Sequence, residues 1–321
     1  MGAEQHSRVL VTGGAGFIGR RVVKALLEAG AEVTVADRQV PTERAARAVV
    51  GDLRDPSIAA RAVSPGTDLI VHLAAVTSVL RSVEDPAGTY ETNVHATATL
   101  LELARNRGVG SFVLASTNAV VGDVGRAVIT ERTPTRPLTP YGATKAAGEM
   151  LLSAYSGVYG ISGCALRFSN VYGPGMEAKD SFVPRLMRAA RDGRGVQVYG
   201  DGTQLRDMVH VDDIVAGILL VWRAGACGPV ILGGGESVSV NDIVAAARSV
   251  TGAQLPVEFV PPKSGEMPAV IVDISAARAL GYQPAHDLKS GLATVWPEFA
   301  APAAHEGKFA APAADEGKTA Q

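Results

Sequence analysis

The 321-residue sequence predicts an α/β fold built on a doubly wound parallel sheet, with a smaller C-terminal lobe. Two observations carry this. Through the first 170 residues short β-branched runs alternate with alanine-rich helical stretches, and the short runs are apolar throughout instead of every second residue. Strands of that kind are covered on both faces, which means a parallel sheet with crossover helices on either side.

The elements follow in order. "RVLVTG" reads as the first strand, and a helix runs through "FIGRRVVKALLEAG". "EVTVAD", "RAVVGD", "DLIVHLAA", "SFVLAS" and "GCALRFSN" read as further strands. Residues 86–107 read as one helix, with Val94, Ala98 and Leu101 at i, i+4 and i+7. Residues 143–158 carry a broad stripe of Ala143, Ala146, Ala147, Met150, Leu151, Ala154 and Val158. That stripe packs either on the sheet or, in part, on a helix of a second subunit. From about residue 171 Gly and Pro increase and the alternation fades. The expected division is 1–170 for the sheet domain and 171–298 for the smaller lobe, some of whose strands return to the main sheet. Residues 299–321 form a tail. There "FAAPAAHEGK" is followed at once by "FAAPAADEGK", and an Ala/Pro/Gly repeat cannot build a core, so this tail is expected to be disordered.

Composition narrows the function classes. Hydrophobic residues make up 47% and charged ones 19%, an ordinary globular balance. A formal net charge of −2 gives no reason to expect a nucleic acid or an anionic membrane as partner. The two cysteines, Cys164 and Cys227, have no metal-ligand spacing and read as small buried hydrophobes in a reducing compartment. The start, "MGAEQHSR", lacks a signal-peptide core, and the longest apolar run, 214–222, is too short to span a bilayer. A cytoplasmic protein is expected.

"VTGGAGFIG" places Gly13, Gly16 and Gly19 directly after the first strand and at the start of a helix. A turn of this kind needs glycine so that a pyrophosphate can approach the backbone, and the helix N-terminus offers it free N–H groups. Asp37 ends the second strand, 18 residues past Gly19. A carboxylate there accepts from ribose hydroxyls and repels a 2′-phosphate, so the Rossmann-type site is expected to take NAD. Arg38 beside it is the one feature that suits NADP. "PYGATK" then sets Tyr141 and Lys145 at i and i+4, on one face of a helix that begins near Pro140. A tyrosine of pKa ~10 is a poor base at neutral pH. A fixed ammonium and a cationic nicotinamide beside it are expected to lower that value toward ~7.

With these motifs in view, the chain from about Arg8 to Trp296 resembles the extended short-chain dehydrogenase/reductase family, in its NAD-dependent nucleotide-sugar epimerase/dehydratase branch. It is most like the UDP-hexose 4-epimerases. The resemblance rests on "TGGAGFIG", "GDLRD", "HLAA", "TNV", "ASTNAVVG", "PYGATK", "LRFSNVYGPG" and "YGDGTQLRDMVHVDDI", in that order. It implies a Rossmann domain with a smaller substrate-binding lobe. It also implies a cofactor site of Gly13, Gly16, Phe17, Ile18, Gly19, Asp37, Arg38, Asp52, Leu53, Leu73, Ala74, Ala75, Asn93, Tyr141 and Lys145. Asp52 and Leu53 would bracket the adenine, and Lys145 would hold the nicotinamide ribose. Tyr141 would be the catalytic base, with Thr117 hydrogen-bonding the reacting hydroxyl. The chemistry calls for no metal.

Family members that dehydrate nucleotide sugars carry an Asp-Glu pair straight after the catalytic Thr, and decarboxylating members keep the Glu. Here the pair is Asn118-Ala119, which cannot exchange protons in that way. Val120-Val121-Gly122 also replaces the usual Val-Tyr-Gly. What remains is hydride chemistry at one carbon, which a 4-epimerase needs. A dehydratase, decarboxylase or reductase of the family is the alternative. A protein that only senses NAD would have no need of Thr117, Tyr141 and Lys145 together. By the same resemblance the UDP-sugar would meet Thr77, Asn170, Val183, Val198, Tyr199, Arg206, Lys263 and Glu266. Arg206 with Asp212 and Asp213 reads alternatively as a surface ion-pair cluster. Val270 stands where some 4-epimerases have a tyrosine over the sugar, which predicts a roomier pocket. Helices 86–107 and 143–158 resemble those of an intersubunit bundle, so a homodimer is expected.

Overall fold

A computed structural model describes residues 6–262 and 267–300. The expected α/β architecture is present, with strands β1 (Arg8–Thr12), β2 (Glu32–Asp37), β3 (Arg47–Val50), β4 (Leu69–His72), β5 (Ser111–Thr117), β6 (Val128–Ile129), β7 (Ser162–Phe168), β8 (Asn170–Tyr172), β9 (Val196–Tyr199), β10 (Leu205–His210), β11 (Gly228–Leu232), β12 (Ser237–Ser239), β13 (Val257–Val260) and β14 (Ile271–Val272). The helices are α1 (Gly19–Glu28), α2 (Pro56–Ala62), α3 (Val79–Glu84), α4 (Pro86–Tyr90), α5 (Ala96–Arg107), α6 (Pro140–Tyr159), α7 (Phe182–Asp192), α8 (Val211–Arg223), α9 (Val240–Thr251), α10 (Ser275–Ala279) and α11 (Leu288–Ala300).

Seven strands form one parallel sheet in the order β11-β7-β5-β4-β1-β2-β3. Successive side chains point to opposite faces, so one strand feeds two cores. Val9 and Val11 join the core beneath α1 and α8, while Leu10 between them joins the core under α2 and α5. Chain order reverses at β1, which has β2 on one side and β4 on the other. The crevice beyond the carboxyl ends of these strands is where ligands bind in sheets of this type. β11 lies at the sheet edge although it comes after residue 170, so the second part of the chain does return a strand to the first.

The smaller lobe is built from β8-β10-β12, the pair β9-β13, and α7, α9 and α11 around their own core. Residues 86–107 are not one regular helix but α4 and α5 joined by a π turn at Glu91–His95, which holds Asn93 3% exposed. In α6 the apolar stripe is divided between the two readings, with Ala146 and Leu151 packed inward and the rest left toward the surface. Of its members Ala146 is buried, whereas Ala143, Met150, Ala154 and Val158 are exposed. Cys164 is buried as expected, and burial pushes its thiol up to about 12, whereas Cys227, expected to be buried too, is exposed in the turn after α8; both are free thiols. Among the described residues no helix is long and apolar enough to cross a membrane. Residue 299 is the expected start of the disordered tail, but Phe299 and Ala300 end α11, with Phe299 2% exposed in the lobe core; residues 301–321 lie outside the described ones.

Candidate active site

A cavity of about 410 Å³ opens at the carboxyl ends of the sheet strands, between the glycine turn and α6. Gly13 adopts φ +69°, and a Cβ on it would lie 2.8 Å from the Ala74 backbone nitrogen. At Gly19 a Cβ would meet the Gly13 carbonyl oxygen, so no larger residue fits where α1 begins. Asp37 braces this turn: Oδ2 accepts from the Ala15 N–H at 3.0 Å and Oδ1 from the Gln39 N–H at 3.0 Å. The cradle therefore suits a dinucleotide, its pyrophosphate facing the turn and the helix N-terminus and its ribose facing Asp37.

Of the expected cofactor residues, all but Asn93 line the cavity, and Thr77 lines it too. Asn93 acts one layer back. Its amide accepts from the Val76 N–H at 2.8 Å and donates to Val76 O and Thr144 Oγ1, each at 3.0 Å, which fixes the cavity wall. Asp52 is gripped by Arg54, Nη2 to Oδ2 at 2.7 Å, and this partner holds its carboxyl below the usual range. Arg54, Arg81 and Lys179 line the cavity as well, and sequence reasoning missed all three. Arg54 lies inside "GDLRD" but was passed over for its neighbours Asp52 and Leu53, and Arg81 and Lys179 belong to none of the quoted motifs; loops and a short helix deliver all three. The Lys179 ammonium lies 4.9 Å over the Phe17 ring.

The catalytic face is set by the start of α6. Thr139 caps it, accepting from the Gly142 N–H, and Pro140 supplies the fixed φ of the first turn. Tyr141 donates its own N–H to Ser82 Oγ at 3.1 Å. One turn on, Lys145 is 6% exposed and its Nζ donates to the Ala115 carbonyl at 2.9 Å. The Tyr141 and Thr117 side chains are hydrogen-bonded. Burial raises the pKa of the Tyr141 hydroxyl, and the hydrogen bond with Thr117 opposes that rise. Burial brings Lys145 itself down to about 8, with Glu149 acting the other way.

After Thr117 a short 3₁₀ turn, Asn118–Val120, follows. Asn118 is 6% exposed, and neither end of its amide meets a partner among the described residues. Val121 is 1% exposed and belongs to the core.

The substrate residues are spread along the smaller lobe. Tyr199 lines a second cavity of about 240 Å³, with Arg126, Asp201, Gln204 and Met267. Arg206 donates to the carbonyls of Leu205 at 2.8 Å and Met267 at 3.0 Å. Asp212 pairs with Arg21 at 2.6 Å, and Asp213 accepts from the Ala285 N–H, so these aspartates tie elements together. Asn170 donates to Asp207 O at 2.9 Å. Val183 and Val198 are buried in the lobe core. Val270 is 6% exposed, packs in the core against the sheet and lines neither cavity. Its position is one of packing, and a tyrosine there would have to displace core side chains. Lys263 and Glu266 lie outside the described residues.

Comparison with known proteins agrees with this geometry. Residues 9–232 match the model of the NAD dependent epimerase/dehydratase family. A dTDP-glucose 4,6-dehydratase of Streptomyces griseus is 39% identical over 305 residues, covering 89% of this chain and 92% of the relative. The crystal structure of a UDP-glucose 4-epimerase of Thermotoga maritima with UDP-glucose superposes with a TM-score of 0.87 at 32% identity, covering 91% of this chain and 98% of the other. The protein MoeE5 in complex with UDP-glucuronic acid and NAD superposes with a TM-score of 0.83 at 36% identity, covering 91% and 98%.

Proposed function

The chain belongs to the NAD-dependent epimerase/dehydratase family, and within it we propose that this protein inverts C4 of a UDP-sugar. The observation that carries the reading is Asn118-Ala119 directly after Thr117. A dehydratase needs an acid to protonate a leaving hydroxyl and a base to take a C5 proton, and an amide and a methyl group do neither. A dehydratase is the second reading, favoured by the 39% identity to the Streptomyces griseus relative.

Bound NAD supplies the acceptor, and then the donor, of the sugar C4 hydride. The chain's own residues do the rest. The glycine turn and Asp37 hold the dinucleotide, and Lys145 holds the nicotinamide ribose. Tyr141 takes the proton of the 4-hydroxyl, and Thr117 steadies that oxygen and helps to return the proton. Because no net redox occurs, the cofactor stays in place between turnovers. Asn170, Arg206 and the cavity around Tyr199 are assigned to the UDP moiety. UDP-glucose and UDP-galactose are the proposed pair, with UDP-glucuronate or UDP-N-acetylglucosamine as a bulkier substrate. The MoeE5 complex with UDP-glucuronic acid supports that wider range.

The exposed side of α6 supports a homodimer. Met150 and Val158 are more than half exposed, and the Tyr155 and Tyr159 rings lie 5.2 Å apart beside them. The reading is tested at Tyr141. Tyr141→Phe should retain NAD binding and lose at least ~100-fold in kcat. Undiminished turnover would sink the assignment.

A further inference from the structure

Behind the Tyr141–Lys145 face lies a buried charge cluster to which the reaction has so far assigned nothing. Glu149 follows Lys145 by one turn of α6, its side chain 10% exposed, and Arg167 in β7 faces it at 4%. Arg167 grips the carboxylate as a fork, Nη2 to Oε2 at 2.8 Å and Nε to Oε1 at 3.0 Å. From the other side Ser116 Oγ donates to Oε1 at 2.5 Å. Ser116 stands between Ala115, whose carbonyl receives the Lys145 ammonium, and Thr117, whose side chain meets Tyr141. One carboxylate is thus tied to the strand end that carries both catalytic contacts. A buried ion pair adds little net stability over an apolar pair of the same size, so stability alone is a poor reason for it.

We propose that Glu149 is a positioning residue: held by Arg167 and Ser116, its carboxylate fixes residues 115–117 against α6 and keeps the Lys145 ammonium charged. The kinetic half of this rests on the 4-epimerase reading, whereas the effect on cofactor binding does not. On its own helix Tyr141 precedes Lys145 and Glu149 follows it by one turn, His72 on β4 feels the Lys145 charge, and Arg167 on β7 pairs with Glu149. Of these Glu149 is the anion, and it is the charge that holds Lys145 up against burial. His72 is buried and neutral, its pKa about 3. Removing the carboxylate therefore lets Lys145 lose its proton at lower pH.

The test is NAD titrated into the full chain between about pH 6 and about pH 9. Wild type should hold its affinity to about pH 8 and weaken above it. In Glu149→Gln the weakening should begin about one pH unit lower, giving roughly tenfold weaker binding near pH 8 and little change near pH 6. Glu149→Gln combined with Arg167→Met strands neither charge and should move the limb in the same direction, which keeps the test open if the single variant does not fold. Ser116→Ala keeps the carboxylate, so it should leave the limb in place while lowering kcat roughly tenfold at constant KM. A wild-type pH limb in either Glu149 variant overturns the charge role, and wild-type kcat in Ser116→Ala overturns the tether. If the wild type interconverts no UDP-sugar, the 4-epimerase reading fails while the NAD limb still decides on Glu149.

Discussion

Lys145 donates its ammonium to the Ala115 carbonyl at 2.9 Å, two residues before Thr117, whose side chain is hydrogen-bonded to Tyr141. Helix α6 and the end of β5 are therefore joined twice, once through the cation and once through the base. The Thr117 contact is also what works against burial at the Tyr141 hydroxyl. Losing it leaves the phenol harder to ionise. Thr117→Val, which keeps the shape and removes the hydroxyl, should lower kcat by ~100-fold and push the acid limb of the pH–rate profile to higher pH. An unchanged limb would show that Thr117 does not tune the base.

His72 sits fully buried between two threonines, with Nδ1 2.7 Å from Thr12 Oγ1 and Nε2 2.9 Å from Thr97 Oγ1. Burial first, and the Lys145 ammonium second, bring its pKa from 6.5 to about 3. The sign follows from proton counting. Below about pH 6.5 the unfolded chain binds a proton that the folded one refuses, so stability falls as pH drops toward about 3, by about 1.4 kcal/mol per unit. His72→Gln can bond both threonines without titrating. Denaturant unfolding between about pH 6 and about pH 4 should show a flatter slope in the variant. An identical slope would place the acid sensitivity elsewhere.

The outward face of α6 makes a further demand. Met150 is 61% and Val158 73% exposed on a single chain, far more than large apolar side chains need be. Sedimentation at micromolar concentration should show a dimer. Met150→Glu with Val158→Glu should weaken it by roughly 100-fold or more while leaving the monomer folded. A wild-type monomer at that concentration would refute the assembly.

The sequence revealed some of this and hid the rest, for physical reasons. Continuous apolar runs named the sheet strands, because a doubly covered strand has no polar face to disguise it. Tyr141 and Lys145 could be paired because a helical i, i+4 spacing is a local fact, whereas the role of Thr117 came only with the family resemblance. The direction of the α6 stripe was not local. The side that meets the sheet carries Gly142, Gly148 and Lys145, and a Cβ at Gly148 would come within 3.2 Å of Leu114. Close approach selected small residues there, which left most of the apolar stripe outside. Arg54, Arg81 and Lys179 had no periodicity to betray them. Val270 was placed by counting against the family pattern, and such a count does not say whether a side chain faces a cavity or the core.

The central claim is inversion at C4 without loss of any other atom. UDP-glucose carrying deuterium at C4, incubated with the purified protein and NAD, tests it most directly. The expected result is UDP-galactose with the deuterium still at C4, because one hydride leaves and returns within a single turnover. A 4-keto-6-deoxy product would contradict the claim and make the protein a dehydratase.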